Sequence, residues 1–337
     1  MLRLIFTGLL SLEAHAAMAA EPLALVQTII LADVPPGPYA DHMALDSREQ
    51  RLFVTPQAQG AVTVLDLKTS RVLHTIRGFM NPHAVLYRAD RNRLFVTDGK
   101  GVVVVLDALT YRRIRSIPLE PNADSIAYDG KTGVLYVSNG GADTGRSYSL
   151  VSLIDTATEA KLGDIRIQTP ALEAMVVDET QARLYIDMPE ENMIGIIDLR
   201  QRALTQRWQL TLAQRNDALA LDTDHQLLYV GCNEGDVRGS LLVVDTSSGK
   251  ELQKLPLGSW VDSMFYDARR QRIYASTGVG AVFVYERNAA GQLRALESVD
   301  TAVMARTALF SPELDRLFVM VPHLGWTSAK VLVFKPQ

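Results

Sequence analysis

Short apolar segments alternate with charged or glycine-containing turns along almost the whole chain. The stretch NPHAVLYRADRNRLFVTDG, from Asn81 to Gly99, has two apolar runs around a charged turn, which is the pattern of a β-hairpin. Its second run, RLFV, is one of seven related copies. The second residue of each copy stands at position 52, 94, 135, 184, 228, 273 or 317, so the copies lie 41 to 49 residues apart. A period of this length, made of short strands, predicts a β-propeller.

Each repeat contains four predicted strands, except the last. A first strand such as HMALD (42–46) precedes the RLFV strand, a third strand ends in an acid, and a polar turn leads to a fourth strand such as VLHTI (72–76). The last repeat ends after its third strand, whereas LVQTIIL (25–31) is a spare strand near the N-terminus. The sequence therefore predicts an all-β fold, a closed seven-bladed β-propeller with four-stranded antiparallel blades. In it the N-terminal strand completes the last blade, and this closure removes two exposed sheet edges.

The repeats resemble the YVTN-type β-propeller repeat of bacterial secreted proteins, the YncE-like family. The resemblance is carried by NPHAVLYRADRNRLFVTDG, NADSIAYDGKTGVLYVSNG and VDSMFYDARRQRIYASTGVGAVFVYE, and it extends over about residues 25–337. It implies a WD40-like ring of seven blades. The function that it implies is less specific, because such propellers serve as binding scaffolds, as surface proteins and, in distant lactonase-like relatives, as enzymes.

The N-terminus has the pattern of a secretory signal peptide. Arg3 supplies a positive charge, Leu4 to Leu12 form an apolar run that is too short to span a bilayer, and Ala17-Met18-Ala19 fits the small-residue cleavage rule. We therefore expect residues 1–20 to be a signal peptide and residues 21–337 to be one propeller domain. The expected location is the bacterial periplasm or the exterior of the cell.

Composition excludes some classes of protein. The net charge of −4 argues against a nucleic-acid binder, which usually carries a basic excess. No later segment is long and apolar enough for a membrane helix. Cys232 is the only cysteine, so an internal disulfide is impossible. We expect a monomer whose partner is a small molecule or a protein.

One position in the repeat is ionisable in all seven copies. It lies at the start of the first strand, which is the innermost strand of a propeller blade and lines the central channel. The seven side chains should therefore converge at one mouth of the channel, and we call them the ionisable ring. The ring consists of Asp41, His83, Asp124, Glu173, Asp217, Asp262 and Arg306.

Long loops should surround this ring. The connection between the second and third strands reaches the same face and is expanded at 139–149, 232–240 and 321–328. Tyr39, His42 and Trp260 belong to connections on that face. Because long loops near convergent polar groups are typical of a binding site, we predict that His42, Trp260 and the ring bind a ligand.

Three interpretations of the ring stay open. It could be a solvated plug, a site for a small ligand, a cation or a protein partner, or a catalytic site. The catalytic alternative is a lactonase-like hydrolase or lyase that uses His83, Glu173 and Arg306 as base, acid and oxyanion partner. The sequence requires no cofactor. Five carboxylates make a divalent cation a reasonable ligand, but no spacing of residues identifies a metal site.

Overall fold

The computed structural model describes residues 21–337; the predicted signal peptide, residues 1–20, lies outside the described residues. Within the described part, 29 strands form seven separate sheets. The only helical turns there are two short 3-10 helices, Gln57–Gln59 and Ala142–Thr144. No helix of residues 21–337 is long and apolar enough to cross a membrane.

Each sheet is one blade, and its strands run in order from the inside to the outside of the ring. Blade 1 contains β2 (Asp41–Asp46), β3 (Arg51–Thr55), β4 (Ala61–Asp66) and β5 (Arg71–Arg77). Blade 2 contains β6 (Pro82–Arg88), β7 (Arg93–Asp98), β8 (Val102–Asp107) and β9 (Arg113–Pro118). Blade 3 contains β10 (Ile126–Asp129), β11 (Val134–Gly140), β12 (Ser149–Asp155) and β13 (Ala160–Ile167). Blade 4 contains β14 (Met175–Asp178), β15 (Arg183–Met188), β16 (Met193–Asp198) and β17 (Ala203–Gln209).

The remaining three blades complete the circle. Blade 5 contains β18 (Asn216–Asp222), β19 (Leu227–Asn233), β20 (Arg238–Asp245) and β21 (Glu251–Gly258). Blade 6 contains β22 (Val261–Asp267), β23 (Arg272–Thr277) and β24 (Ala281–Arg287), and its outer strand is split into β25 (Leu293–Ala295) and β26 (Val299–Asp300). Blade 7 contains β27 (Ala308–Ser311), β28 (Arg316–Val321), β29 (Lys330–Pro336) and β1 (Leu23–Ile30).

The closure of the ring by the N-terminal strand is confirmed. Strand β1 runs antiparallel to β29, in a register that pairs Leu23 with Pro336 and Ile30 with Lys330. The innermost strand of every blade contacts the innermost strands of its two neighbours, and β27 of the last blade contacts β2 of the first. The seven-bladed, four-stranded antiparallel propeller that the repeat predicts is therefore the observed fold.

The hydrophobic core consists of seven clusters, one between each pair of neighbouring blades. The cluster that joins blade 7 to blade 1 contains Ile29 and Val331 on one side and Leu52 and Val54 on the other, all fully buried. Successive side chains of a strand point to opposite faces, and strands such as β4 and β8 are buried at nearly every position, so both faces of a blade pack against a neighbouring sheet. This layered packing holds the innermost strands at fixed positions around the channel.

The acids that close the third strands of blades 1 to 5 have a structural role. Asp66, for example, accepts a hydrogen bond from the Lys68 backbone N–H at 2.8 Å and one from the Thr69 hydroxyl at 2.7 Å. Asp107, Asp155, Asp198 and Asp245 accept equivalent bonds from their own turns. These carboxylates fix the outer turns and lie far from the channel in the blade order.

Candidate functional site

The innermost strand is irregular at the position of the ionisable ring. In blade 5, Asn216 pairs with Cys232 and Ala218 pairs with Gly231, which leaves Asp217 as the extra residue of a β-bulge. In blade 6 the same irregularity leaves Asp262 unpaired. Strands β2 and β6 also shift register beside Asp41 and His83. Because a bulge changes the direction of a side chain, it can turn these residues away from the sheet face and toward the channel mouth.

Blades 1 to 3 place one imidazole between two carboxylates. Nδ1 of His83 lies 2.8 Å from Oδ2 of Asp41 and 3.3 Å from Oδ1 of Asp124. Burial lowers the pKa of His83, but the hydrogen bond to Asp41 and the charges of Asp124 and Asp41 outweigh it and raise that pKa to about 9. Burial raises the pKa of Asp41, yet the charges of His42 and His83 outweigh burial and hold it below its ordinary value. This arc of the ring is an imidazolium held by carboxylates.

Blades 6 and 7 contribute an ion pair beside an aromatic ring. Nε of Arg306 lies 3.3 Å from Oδ2 of Asp262, although the two groups are not aligned for a hydrogen bond. The guanidinium lies over the ring of Tyr39, with its central carbon 5.3 Å from the ring centroid. Oδ2 of Asp262 also accepts a hydrogen bond from the Thr307 hydroxyl at 3.3 Å. Arg306 therefore balances the charge of Asp262 and is held over Tyr39 by a cation–π contact.

Blades 4 and 5 carry two acids without a basic partner. Among residues 21–337, neither Glu173 nor Asp217 forms a salt bridge, and the only side-chain partner of Asp217 is the Asn233 amide at 2.6 Å. Burial and the charge of Asp262 raise the pKa of Asp217 to about 7, against the opposing effects of Arg306 and Asn233. Burial and the charge of Asp217 raise the pKa of Glu173 well above its ordinary value. Burial likewise raises the pKa of Asp124, to about 6.

Two of the three expanded connections, those of blades 3 and 5, meet the ring. A cavity of about 470 Å³ opens between blades 3 and 4, and Asp124 and Glu173 lie in its wall. The end of β11 supplies Asn139 to the same wall, the loop after β11 supplies Asp143, and Glu190 completes its acidic lining. In blade 5, Asn233, the last residue of β19 before the expanded loop, donates a hydrogen bond to Asp217. The cavity is therefore a polar, acidic extension of the ring.

His42 and Trp260 have different positions. His42 lies with Asp262 in the wall of a smaller cavity of about 200 Å³ in the channel, and its Nε2 is 3.5 Å from Oδ1 of Asp41. Burial lowers its pKa, but the charges of Asp41, Asp262 and Asp124 outweigh burial and raise it. Trp260 lies beside Gly278, where a Cβ atom would meet it, and is 42% exposed. The structure thus adds His42 to the ring and leaves Trp260 outside the walls of both cavities.

Sequence reasoning missed the uncharged members of the site. Gln57 donates a hydrogen bond to Oδ2 of Asp41 at 2.7 Å and lies 3.1 Å from Nδ1 of His83. Asn81 contacts the other nitrogen of His83 at 2.9 Å. Asn233 holds Asp217. Gln57 and Asn81 lie in connections on the ring face, and Asn233 ends β19 beside such a connection. A search of these segments for amides as well as charges would have found them.

Comparisons with known proteins support the fold but identify no function. No protein-family model and no curated protein matches the sequence. Among solved structures, hydrazine synthase of Kuenenia stuttgartiensis superposes with a TM-score of 0.71 at 16% identity, over 84% of this chain and 92% of that chain. A chain in a crystal structure of the mitotic checkpoint complex superposes with a TM-score of 0.74 at 14% identity, over 98% of this chain and 99% of that chain. At such low identity the two unrelated neighbours share a propeller fold, and a shared fold names no function.

Proposed function

We propose that this protein is a binding module that holds a small polar molecule with a primary amine at the channel mouth. The main support for this proposal is the pair of adjacent acids, Glu173 and Asp217. Their pKa values are raised, and neither acid has a basic partner among the described residues. An ammonium group would supply the missing positive charge and three hydrogen-bond donors. The acidic cavity beside Glu173, of about 470 Å³, has the volume of a small-molecule site.

The hydrolase or lyase alternative is less well supported. It needs His83 as a general base, and a base must be unprotonated at the working pH. The carboxylates of Asp41 and Asp124 raise the pKa of His83 to about 9 despite its burial, so the imidazole carries its proton at neutral pH. Glu173 keeps the raised pKa that suits a general acid. A general acid alone does not open a lactone, and binding is therefore the function that the geometry favours.

The location of the protein is part of the proposal. The signal-peptide pattern in residues 1–20 and the resemblance of the repeats to YVTN-type propellers of secreted bacterial proteins support a periplasmic or extracellular location. The binding face would then meet small molecules of that compartment. Fractionation of a Gram-negative host that expresses the full chain tests the location, and residence of the uncleaved chain in the cytosol would contradict it.

Isothermal titration calorimetry with putrescine tests the ligand class, with the dianion glutarate as the opposite-charge probe. We expect saturable binding of putrescine only. Glu173→Gln or Asp217→Asn should weaken it roughly tenfold, since a hydrogen bond to a charged group contributes about 1.5–3 kcal/mol. Binding should also weaken below about pH 7, where Asp217 takes up its proton. Asp66→Asn, in an outer turn, is the matched control. Binding of glutarate alone, or binding indifferent to Glu173 and Asp217, would refute the proposal.

A further inference from the structure

Three metal-ligand groups from successive blades meet on the other arc of the ring. The ligand atoms of Asp41, His83 and Asp124 all lie within 4.8 Å of one another. Among residues 21–337, no second group of three such side chains lies so close together. We propose that these side chains, with the amide oxygen of Gln57, bind a first-row divalent transition-metal ion such as Zn²⁺ or Mn²⁺. The inference uses the proposed binding face, but it does not depend on an amine ligand.

The hydrogen bonds around His83 point to a cation. Nδ1 faces Oδ2 of Asp41 at 2.8 Å, Oδ1 of Asp124 at 3.3 Å and the Gln57 amide at 3.1 Å. That amide is also 2.7 Å from Oδ2 of Asp41. With both carboxylates ionised, no placement of protons satisfies all of these contacts. If Nδ1 carries a proton, that N–H and the Gln57 NH₂ group are two hydrogen-bond donors that face each other. If the Gln57 amide is rotated, its oxygen and the Asp41 carboxylate are two acceptors that face each other.

A metal ion removes this conflict. Once the ion displaces the Nδ1 proton, Nδ1 of His83, the two carboxylate oxygens and the rotated Gln57 oxygen are all electron-pair donors, and the cation accepts a pair from each. Ligand atoms surround Zn²⁺ at about 2.0–2.3 Å, so neighbouring ligand atoms are roughly 3–4 Å apart. The contacts of 2.8 to 3.3 Å around Nδ1 require only a small expansion to reach that geometry.

The far side of His83 is also arranged as in a metal site. A ligating histidine usually donates its other N–H to a protein oxygen, which fixes the ring. Nε2 of His83 lies 2.9 Å from the Asn81 amide, and rotation of that amide presents its oxygen to Nε2. A Cβ on Gly99 would lie only 3.1 Å from Nε2 and 3.3 Å from the amide, so glycine leaves room for this contact. His83 is 7% exposed and cannot turn freely.

The donor set selects the kind of ion. Imidazole suits zinc and other transition metals, whereas Mg²⁺ and Ca²⁺ prefer all-oxygen sites. Asp124 lies in the wall of the 470 Å³ cavity, so an ion beside it would have positions open to solvent or to a ligand. We therefore expect Zn²⁺ and Mn²⁺ to bind more tightly than Mg²⁺ and Ca²⁺.

Calorimetric titration of EDTA-treated protein with ZnCl₂ and MnCl₂ tests the inference. The expected result is one equivalent of metal per chain, with affinity reduced at least about tenfold by His83→Gln. His225→Gln is the matched control, because Nδ1 of His225 lies 2.8 Å from Oδ2 of Asp222 without a third ligand. This control should leave the affinity unchanged. No stoichiometric binding, or equal effects of the two variants, would overturn the inference.

Two further measurements cover the case in which His83→Gln does not fold. Gln57→Glu should tighten Zn²⁺ binding and Gln57→Ala should weaken it, because the first adds a charged ligand and the second removes a neutral one. Co²⁺ added to the unmodified protein should give the visible absorption bands of a nitrogen- and oxygen-ligated ion. An unchanged affinity in both Gln57 variants would overturn the role of that residue, and absence of the Co²⁺ bands would overturn the site.

The proposed metal site and the proposed amine site can be tested independently of each other. Glu173→Gln removes an acid on the opposite arc, so it should reduce putrescine binding and leave Zn²⁺ binding within about threefold. His83→Gln should have the reverse pattern. If either variant lost both putrescine binding and Zn²⁺ binding, the two arcs would form one site, and the separate metal site would be overturned.

Discussion

At the scale of single residues, one hydroxyl position links neighbouring blades beneath the ring. The Thr55 hydroxyl donates to the backbone oxygen of His83 at 3.0 Å, Thr97 donates to that of Asp124 at 2.9 Å, and Ser276 donates to that of Ala305 at 2.8 Å. In blade 4 the same position is Asp187, which is fully buried. Its Oδ1 accepts a hydrogen bond from Asn216, but Oδ2 has no partner among the described residues.

This buried acid should make the stability of the protein depend on pH. Burial raises the pKa of Asp187 well above its ordinary value. A group whose folded pKa exceeds its unfolded pKa stabilises the fold fully below the unfolded value, about 3.9, and loses that contribution as pH rises through the folded value. Asp187→Asn removes the titration and keeps the shape. We expect it to raise the free energy of unfolding at pH 8 by about 1–3 kcal/mol, with a smaller gain toward pH 4.

Urea denaturation at a series of pH values measures this effect. Asp98→Asn is the contrasting variant, because Asp98 is equally buried but accepts hydrogen bonds from the backbone N–H groups of Met80, Asn81 and Lys100. That variant weakens three charge-assisted bonds and should lower stability at pH 8. A constant difference between Asp187→Asn and the unmodified protein at all pH values would show that Asp187 does not titrate in the folded protein.

At the scale of strands, the N-terminal strand shows how closure is stabilised. Ile29 of β1 is fully buried in the cluster between blades 7 and 1, whereas its neighbour Ile30 is 52% exposed. The two side chains point to opposite faces because successive residues of a strand alternate. The strand thus adds both backbone pairing with β29 and one apolar face to the core.

Paired substitutions in β1 separate these contributions. Ile29→Ala should lower the free energy of unfolding by about 2–5 kcal/mol, the usual cost of a cavity in a packed core. Ile30→Ala changes the same residue type at the next position and should cost less than about 0.5 kcal/mol. Thermal and urea unfolding of both variants provides the measurement. Equal costs would mean that β1 does not pack as a closing strand.

The strands also show where sequence reasoning succeeds and where it stops. The period of RLFV fixes the number of blades, and the missing fourth strand of the last repeat predicts the role of β1. The innermost position of the first strand was enough to predict that the ionisable ring lies in one region. The bulges beside Asp217 and Asp262 leave no mark in a hydrophobic pattern, so side-chain directions could not be predicted. The same is true of Gln57 and Asn81, whose contacts depend on loop conformation.

At the scale of the whole molecule, the two ends of the described chain meet in blade 7. The backbone N–H of Gln337 donates to the backbone oxygen of Pro22 at 3.1 Å, so a short linker can join the ends. Nearby termini usually permit circular permutation. The turn Ser247–Ser248 in blade 5 is exposed and lies between β20 and β21. Opening the chain there makes β21 the N-terminal strand of a blade whose other three strands are C-terminal, which reproduces the closure of blade 7.

Two circular permutants test whether shared strands or packing between blades hold the ring closed. The first, opened at Ser247–Ser248, should fold with a melting temperature close to that of the natural chain, because blade 5 is then closed by β21. The second, opened at the exposed residues Gln214 and Arg215 between blades 4 and 5, shares no blade between its ends. The apolar cluster between blades 4 and 5 and side-chain contacts such as Asn216–Asp187 would join its ends, without any pairing of strands. Fewer contacts would then offset the entropy lost when both termini are ordered in a closed ring. We expect this second permutant to melt at a clearly lower temperature, which circular dichroism measures. Binding of putrescine and Zn²⁺ would show whether the ionisable ring is still formed in each permutant. Equal melting temperatures would mean that the interfaces between blades alone supply closure, and β1 would then serve only to cover the edge of β29.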